Sequence, residues 1–122
     1  MDIFCKIISG EIPSNTIYED EIVKVFLDVN PTAVGHCLVV PKEHYTDIYD
    51  IDNDTLIYIL NIAKDVSKII MNRLGCDGIS FCQNNGIAQE VKHFHLHIIP
   101  KYEKNKKMDI EDVYYELTKE TE

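Results

Sequence analysis

The chain has 122 residues, of which 45% are hydrophobic and 27% are charged, and its formal net charge is −9. This length and apolar share predict a single domain over residues 1–122 with one packed core, and they exclude low-complexity and wholly disordered classes. Because a surface with 21 acidic and 12 basic residues repels a polyanion, we expect no nucleic acid partner. There is no apolar run of the ~20 residues that cross a bilayer, and no export signal at the start. We therefore expect no membrane partner and a cytoplasmic location with reduced cysteines.

The first part of the chain predicts a short helix, three strands and a long helix. Residues 3–9 are apolar enough for a short helix that ends at Gly10. From 53 to 74, apolar side chains recur at helical spacing, which predicts a long helix that ends at Gly75. Runs rich in β-branched residues predict strands at 16–18, 22–27 and 36–40, the last of them stopped by Pro41.

The second part predicts two more strands. These lie at 79–83 and 93–99, with a tight turn at 84–86 after the first and Pro100 at the end of the second. Residues 109–119 could form a short terminal helix. This order of elements is typical of an α+β fold with a mainly antiparallel sheet.

Three of the five histidines alternate with apolar residues, at His93, His95 and His97. On a strand, alternate side chains share one face and lie about 7 Å apart, so the pattern predicts a row of imidazoles. Three neutral imidazoles could hold a catalytic Zn²⁺ with one position open. Alternatively, one neutral ring could attack phosphorus while its neighbour donates a proton. The pattern alone leaves both roles open.

This alternation, His-φ-His-φ-His-φ-φ with φ an apolar residue, resembles the signature of the histidine triad superfamily of nucleotidyl hydrolases and transferases. The likeness is greatest to its nucleoside-phosphoramidase branch. It implies a five-stranded, mainly antiparallel sheet with one long and one short helix, joined to a second sheet in a homodimer. It covers about residues 1–101, leaving 102–122 as a C-terminal extension. The other segments that resemble the family are 3–8, 11–14, 18–20, 26–28, 36–42 and 84–86.

The resemblance implies an enzyme that cleaves the bond between a purine nucleoside 5′-phosphate and an amine or similar leaving group. His95 would be the nucleophile and would form a covalent nucleotidyl-histidine. His97 would contact the phosphate and assist proton transfer, while His93 and His36 would orient the nucleophile. This route requires no cofactor for catalysis.

Other residues match the nucleotide-binding positions of the family. Asp28 would accept hydrogen bonds from the ribose hydroxyls, Asn84 would contact the phosphate, and Gln89 would bond to the phosphate or the leaving group. The resemblance assigns the apolar walls of the base pocket to Ile3, Phe4, Ile12, Phe26 and Leu38.

Two departures from the family pattern lie close to the triad. Only two residues separate Gly86 from Gln89, where the family has a longer loop containing glycine. Glu90 follows, where some relatives carry a small hydroxyl residue that contacts phosphate. Because a carboxylate repels phosphate, we expect Glu90 either to turn away or to serve the amine side of the substrate.

Some bacterial relatives bind a structural zinc through a Cys-x-x-Cys pair and two histidines. Here Cys5, His44 and His93 could supply three ligands, and Asp2 stands in place of the other cysteine. We expect Asp2 to belong to a mobile terminus, which weakens the case for zinc.

Three other functions fit the same residues. The chain could hydrolyse dinucleoside polyphosphates, which uses the same triad. It could be a nucleotide sensor or scaffold with incidental hydrolysis. It could also be a metallohydrolase whose triad binds zinc.

Overall fold

The computed structural model describes residues 2–120, which form three α-helices and one five-stranded sheet. The α+β class is thereby confirmed, with a third helix beyond the two that the family resemblance implies. The elements in chain order are α1 (Ile3–Ile8), β1 (Thr16–Glu19), β2 (Val23–Leu27), β3 (Cys37–Pro41), α2 (Asn53–Leu74), β4 (Gly78–Cys82), β5 (Leu96–Lys101) and α3 (Ile110–Thr118). None of the helices within this range has the length and apolar character of a membrane span.

The sheet is antiparallel throughout, in the order β1-β2-β3-β5-β4. β5 therefore lies between β3 and β4. His97 is opposite Leu38 on one side and Cys82 on the other. Because facing residues in a sheet point to the same side, these three side chains share one face.

β3 ends at Pro41 and includes it, whereas Pro100 lies inside β5, so the prediction that Pro100 ends its strand is wrong. Pro41 pairs with Val23 on β2, and Pro100 pairs with Ile79 on β4. The ladder between β3 and β5 covers only 37–39 and 96–98, so each proline has a strand on one side alone. The N–H that proline lacks is therefore not needed by a second strand.

β5 begins at Leu96 and not at residue 93, so two of the three triad histidines precede the ladder. The backbone N–H of Phe94 donates to the carbonyl of Tyr45, 2.7 Å away. This bond ties the segment to the loop after β3 and not to β3 itself. Strand alternation therefore does not determine the directions of His93 and His95.

The two faces of the sheet carry two different cores. The larger core lies under α2, whose bounds match the predicted helix, and it includes Ile59 and Ile70. A smaller core lies on the other face under α1 and contains Phe4, Phe26 and Leu38. Since Leu38 and His97 share a face, the triad strand presents its histidine on the α1 side.

The C-terminal extension contributes to the larger core. α3 buries Val113 and Leu117 there, and Arg73 at the end of α2 donates to the carbonyls of Glu116 and Lys119. The C-terminal extension is therefore packed against the rest of the domain through α3. The last two residues of the predicted extension, 121 and 122, lie outside the described residues.

Candidate active site

A cavity of about 500 Å³ opens on the α1 face of the sheet, within the size range of small-molecule sites. Eight of the twelve side chains predicted for catalysis or nucleotide binding line it. They are Ile3, Phe4, Asp28, His36, Leu38, Asn84, His95 and His97.

The other four predicted side chains are not among the cavity lining. Ile12 and Phe26 belong to the small core beneath Phe4, whose ring meets that of Phe26 edge to face at 5.8 Å. Gln89 is buried and donates through Nε2 to the carbonyl of Thr46 at 2.6 Å. His93 is fully buried, and its ring belongs to a different cluster, described below.

His95 lies at the base of the cavity and is 5% exposed. Its Nδ1–H donates to the backbone carbonyl of His93, 2.7 Å away. A neutral imidazole has one N–H, so Nε2 keeps its lone pair. Burial lowers the pKa of His95 below its usual 6.5, which keeps the ring neutral near pH 7. This geometry leaves a ring nitrogen able to attack an electrophile.

His36 bonds to His97, whereas the family resemblance implies that it orients His95. The backbone N–H of Thr32 donates to His36 Nδ1 at 3.1 Å, so the neutral His36 ring carries its proton on Nε2. That Nε2–H donates to His97 Nδ1 at 2.9 Å. The neutral His97 ring then carries its own proton on Nε2.

This chain of bonds makes His97 a hydrogen-bond donor beside His95. The centroids of the two rings are 4.9 Å apart. Burial, with the neighbouring His95 and His36, lowers the pKa of His97 to about 4. A neutral His97 is therefore present at physiological pH, with one N–H left to offer to a ligand.

Asp28 lies where β2 ends, next to His36. Its Oδ2 is 3.6 Å from His36 Nε2, and its Oδ1 accepts from the backbone N–H of Asn30 at 2.9 Å. The backbone N–H of Asp28 donates to the carbonyl of His36. The carboxylate is held at the cavity wall and can accept hydrogen bonds from hydroxyl groups.

The short segment after β4 is a single 3₁₀ turn, Gly86–Ala88. Gly86 has φ +63°, a left-handed conformation that favours glycine. Asn85, which precedes the turn, accepts a hydrogen bond through Oδ1 from the backbone N–H of Ile48 at 2.9 Å, and this contact holds the turn in place. The segment then leads into the cavity wall, where Glu90 takes part in the lining.

Sequence reasoning missed several lining residues, including Asn30, Thr32 and Cys82. Cys82 is directly opposite His97 in the sheet, so a strand register could have found it. Thr32 acts through its backbone N–H, which no residue pattern marks.

A second cluster contains the four residues predicted as zinc ligands. The donor atoms of Asp2, Cys5, His44 and His93 all lie within 4.8 Å of one another. Asp2 Oδ2 is 3.1 Å from His44 Nδ1, and Cys5 Sγ is 3.8 Å from the same nitrogen. Tetrahedral zinc ligands at their usual bond lengths are roughly 3.4 Å apart, so these residues fit the ion.

Two backbone contacts prepare this cluster. His93 Nε2–H donates to the carbonyl of Pro41 at 2.9 Å, which leaves the lone pair of Nδ1 directed at the other three residues. Asp2 is the N-cap of α1, and its Oδ1 accepts from the N–H of Cys5 at 2.8 Å. Asp2 is therefore held in place, and the expectation of a mobile terminus there is wrong.

The three triad rings do not form one metal site. His93 belongs to the Asp2 cluster, whereas His97 groups with Asp28 and His36. In that second group, His36 and His97 are hydrogen-bonded to each other, which accounts for their proximity. This geometry argues against the reading in which the triad binds a catalytic zinc.

Comparisons with known proteins identify the family of the chain. The model of the HIT domain matches residues 9–104. An uncharacterised HIT-like protein of Methanocaldococcus jannaschii is 45% identical over 96% of this chain and 98% of its own length. The adenosine 5′-monophosphoramidase of Schizosaccharomyces pombe is 43% identical over 81% of this chain and 73% of its own.

A solved structure gives the same answer for the fold. The zinc-bound histidine triad family protein of Mycobacterium smegmatis superposes with a TM-score of 0.88 at 32% identity, covering 95% of this chain and 89% of that one. The resemblance inferred from the sequence is thus confirmed by a family model and by relatives aligned along most of the chain. The chain belongs to the HIT family.

Proposed function

We propose that the chain hydrolyses the bond between a purine nucleoside 5′-phosphate and an amine or related leaving group. The observation that carries this proposal is the state of His95, whose Nδ1 is engaged by the His93 carbonyl while its ring lines the cavity. The named activity of the S. pombe relative, an adenosine 5′-monophosphoramidase, belongs to the same reaction class.

The proposed reaction has two displacements at phosphorus. His95 Nε2 attacks the α-phosphorus, the bond to the leaving nitrogen breaks, and this nitrogen takes a proton from solvent and departs as the amine. Water then attacks the phosphorus of the nucleotidyl-histidine and returns a proton to solvent, which releases the nucleoside monophosphate and restores the neutral ring. Splitting one difficult hydrolysis into two displacements is the general benefit of a covalent intermediate.

The other lining residues bind and orient the nucleotide. The N–H on His97 Nε2 is available to a phosphate oxygen or to the leaving nitrogen, and Asn84 offers a neutral amide. Asp28 is suited to the ribose hydroxyls, because a carboxylate accepts two hydrogen bonds at once. Ile3, Phe4 and Leu38 supply the apolar surface that a base requires.

Replacement of the nucleophile tests this function. In His95→Asn, the amide N–H can retain the bond to the His93 carbonyl, but the attacking nitrogen is lost. We expect turnover of an adenosine phosphoramidate to fall by roughly 10³-fold or more, with little change in adenosine monophosphate affinity measured by calorimetry. In the native protein, rapid quenching in an alkaline denaturant, which preserves the acid-labile P–N bond, followed by mass spectrometry should find the adduct on the peptide that contains His95. Turnover within tenfold of the native value in His95→Asn would contradict the mechanism.

The same assay separates the other functions. A dinucleoside polyphosphate carries several negative charges, and the cavity lining described above contains no lysine or arginine to bind them. We therefore expect the phosphoramidate to be the better substrate when the two are compared at equal concentration. A sensor or scaffold would keep its cellular role in His95→Asn, whereas a hydrolase would lose it.

A homodimer with a continuous sheet is part of the proposal. β4 is an outer strand with Phe81 44% exposed, and α2 carries the exposed apolar residues Ile57, Leu60 and Met71 along one side. An unpaired strand edge beside apolar side chains is suited to pairing with a second copy. Sedimentation equilibrium would measure a mass of twice that of the chain.

We also propose a structural zinc at Asp2, Cys5, His44 and His93. When bound, the ion would connect α1 and the His44 loop to the segment that holds His95.

The four cysteines are free thiols, which agrees with a reducing compartment such as the cytoplasm.

A further inference from the structure

Glu90 is a charged lining residue for which the proposed reaction has no role so far. It is exposed and lines the same cavity as Asp28, His95 and His97. Within residues 2–120, none of the ion pairs includes it. Lys92 is two residues away, but its ammonium donates to the carbonyl of Gly86. The Glu90 carboxylate is therefore available to a bound molecule.

Of lysine, arginine and carboxylate residues, the cavity lining contains one kind only. It has two carboxylates, Asp28 and Glu90, and no lysine or arginine. A nucleotide therefore brings its negative phosphate into a cavity that already contains these two carboxylates. A substrate that also carries a positive charge would relieve this repulsion.

The two carboxylates lie on different segments around His95. Asp28 is beside His36 at the end of β2, where we assign the ribose. Glu90 lies after the 3₁₀ turn, on the segment that leads to His95, with Ala88 and Val91 as its lining neighbours. When the ribose lies at Asp28 and the phosphorus lies at His95, the leaving group on the phosphorus lies next to this segment. Glu90 thus belongs to the leaving-group end of the cavity.

We propose that Glu90 selects substrates whose leaving group is a cationic amine, such as an alkylamine with a second, protonated amino group. This inference rests on the proposed hydrolase function. The bond between phosphorus and nitrogen breaks as described above, the freed nitrogen takes a proton, and the distant ammonium remains charged throughout. Glu90 contacts that ammonium and takes no part in the proton transfer, so its effect is on specificity.

Three matched substrates test the proposal. Adenosine 5′-phosphoramidates of 1,4-diaminobutane, 4-aminobutanol and 4-aminobutyrate differ only in a terminal ammonium, hydroxyl or carboxylate. We expect the native protein to have the highest kcat/KM with the ammonium and the lowest with the carboxylate. In Glu90→Gln, the ratio of ammonium to hydroxyl substrate should fall by about threefold to fivefold, as expected for an exposed ion pair. Added salt should reduce the native ratio in the same direction.

Two further variants make the result specific. Glu90→Lys should reverse the order, so that the carboxylate substrate becomes better than the ammonium substrate. Glu21→Gln removes the same charge from an exposed turn residue outside the cavity, and we expect the native ratio to persist. A native ratio retained in both Glu90 variants would overturn the proposal, because the preference would then come from another group, such as Asp28. Absence of turnover with all three substrates would instead overturn the hydrolase function itself, and this inference with it.

Discussion

Single backbone groups decide what each histidine of the site can do. The His93 carbonyl accepts a hydrogen bond from the N–H of the His95 ring, and the Pro41 carbonyl accepts one from the N–H of the His93 ring. The His36 ring is instead an acceptor, because the backbone N–H of Thr32 donates to its Nδ1. Three identical side chains therefore present different nitrogen atoms: His95 and His93 a lone pair, and His36 an N–H. The chemistry of the site follows from these contacts more than from the residue type.

The buried environment of His95 leads to a prediction on pH dependence. The ring must be neutral to attack phosphorus, and burial lowers its pKa below 6.5. Falling pH therefore protonates the nucleophile only below that value, and activity should persist into mildly acidic solution. We expect the acid limb of kcat/KM, which reports the free enzyme, to reach half its maximum below pH 6.5. If kcat/KM reached half its maximum at pH 6.5 or above, the His95 ring would not be shielded from water in the way its burial indicates.

The turn between β2 and β3 is the element that brings Asp28, Thr32 and His36 to the cavity. Gly35 closes this turn with φ +91° and packs directly against the end of α2. A Cβ at this position would lie 2.7 Å from Leu74 Cδ1 and 3.3 Å from Pro100 Cγ. The turn therefore depends on glycine both for its backbone conformation and for its close packing.

Substitution of Gly35 measures this dependence. We expect Gly35→Ala to lower the free energy of unfolding by roughly 2–4 kcal/mol, from left-handed strain and from overpacking together. The matched control is Gly10→Ala, because Gly10 has φ +85° but no atom within 4 Å of the added Cβ. That control should lose only the strain, roughly 1–2 kcal/mol. Urea denaturation of both variants gives the comparison, and equal losses would contradict the packing argument.

At the scale of the whole molecule, the proposed zinc cluster and the cavity share one segment. Residues 93–95 contribute one imidazole to each, and Phe94 between them is buried in the larger core under α2. The segment is thus fixed from three directions. Disturbing the zinc cluster should therefore affect stability as well as the position of the nucleophile.

Zinc content provides the test of this link. We expect about one zinc per chain by atomic emission when the protein is purified with the metal, and a lower melting temperature after chelation. Cys5→Ser should lose the ion and show the lower melting temperature without chelation. Cys76→Ser changes a free thiol outside the cluster and should keep the zinc. Full zinc occupancy in Cys5→Ser would refute the assignment of ligands.

Local pattern explains why much of the fold was predictable. The stripe of apolar residues in α2 and its stop at Gly75 follow from helical spacing and from the left-handed C-cap, and both were found. β5 was placed three residues too early because its first part bonds to the Tyr45 loop. Pro100 was predicted to end β5 because the sequence does not show that this strand has a neighbour on one side only at that position.

The amino-acid order alone determined the α+β class, from the spacing of apolar residues, and the family, from the resemblance to its motifs. It also predicted eight residues that line the cavity. Only the tertiary structure decided that His36 serves His97, that Gln89 is bonded to Thr46, and that Glu90 lines the cavity. The physical reason is that hydrogen bonds and burial join segments distant in sequence, such as 28–36 and 88–97. Those contacts fix the proton positions and the charge on which the proposed reaction depends.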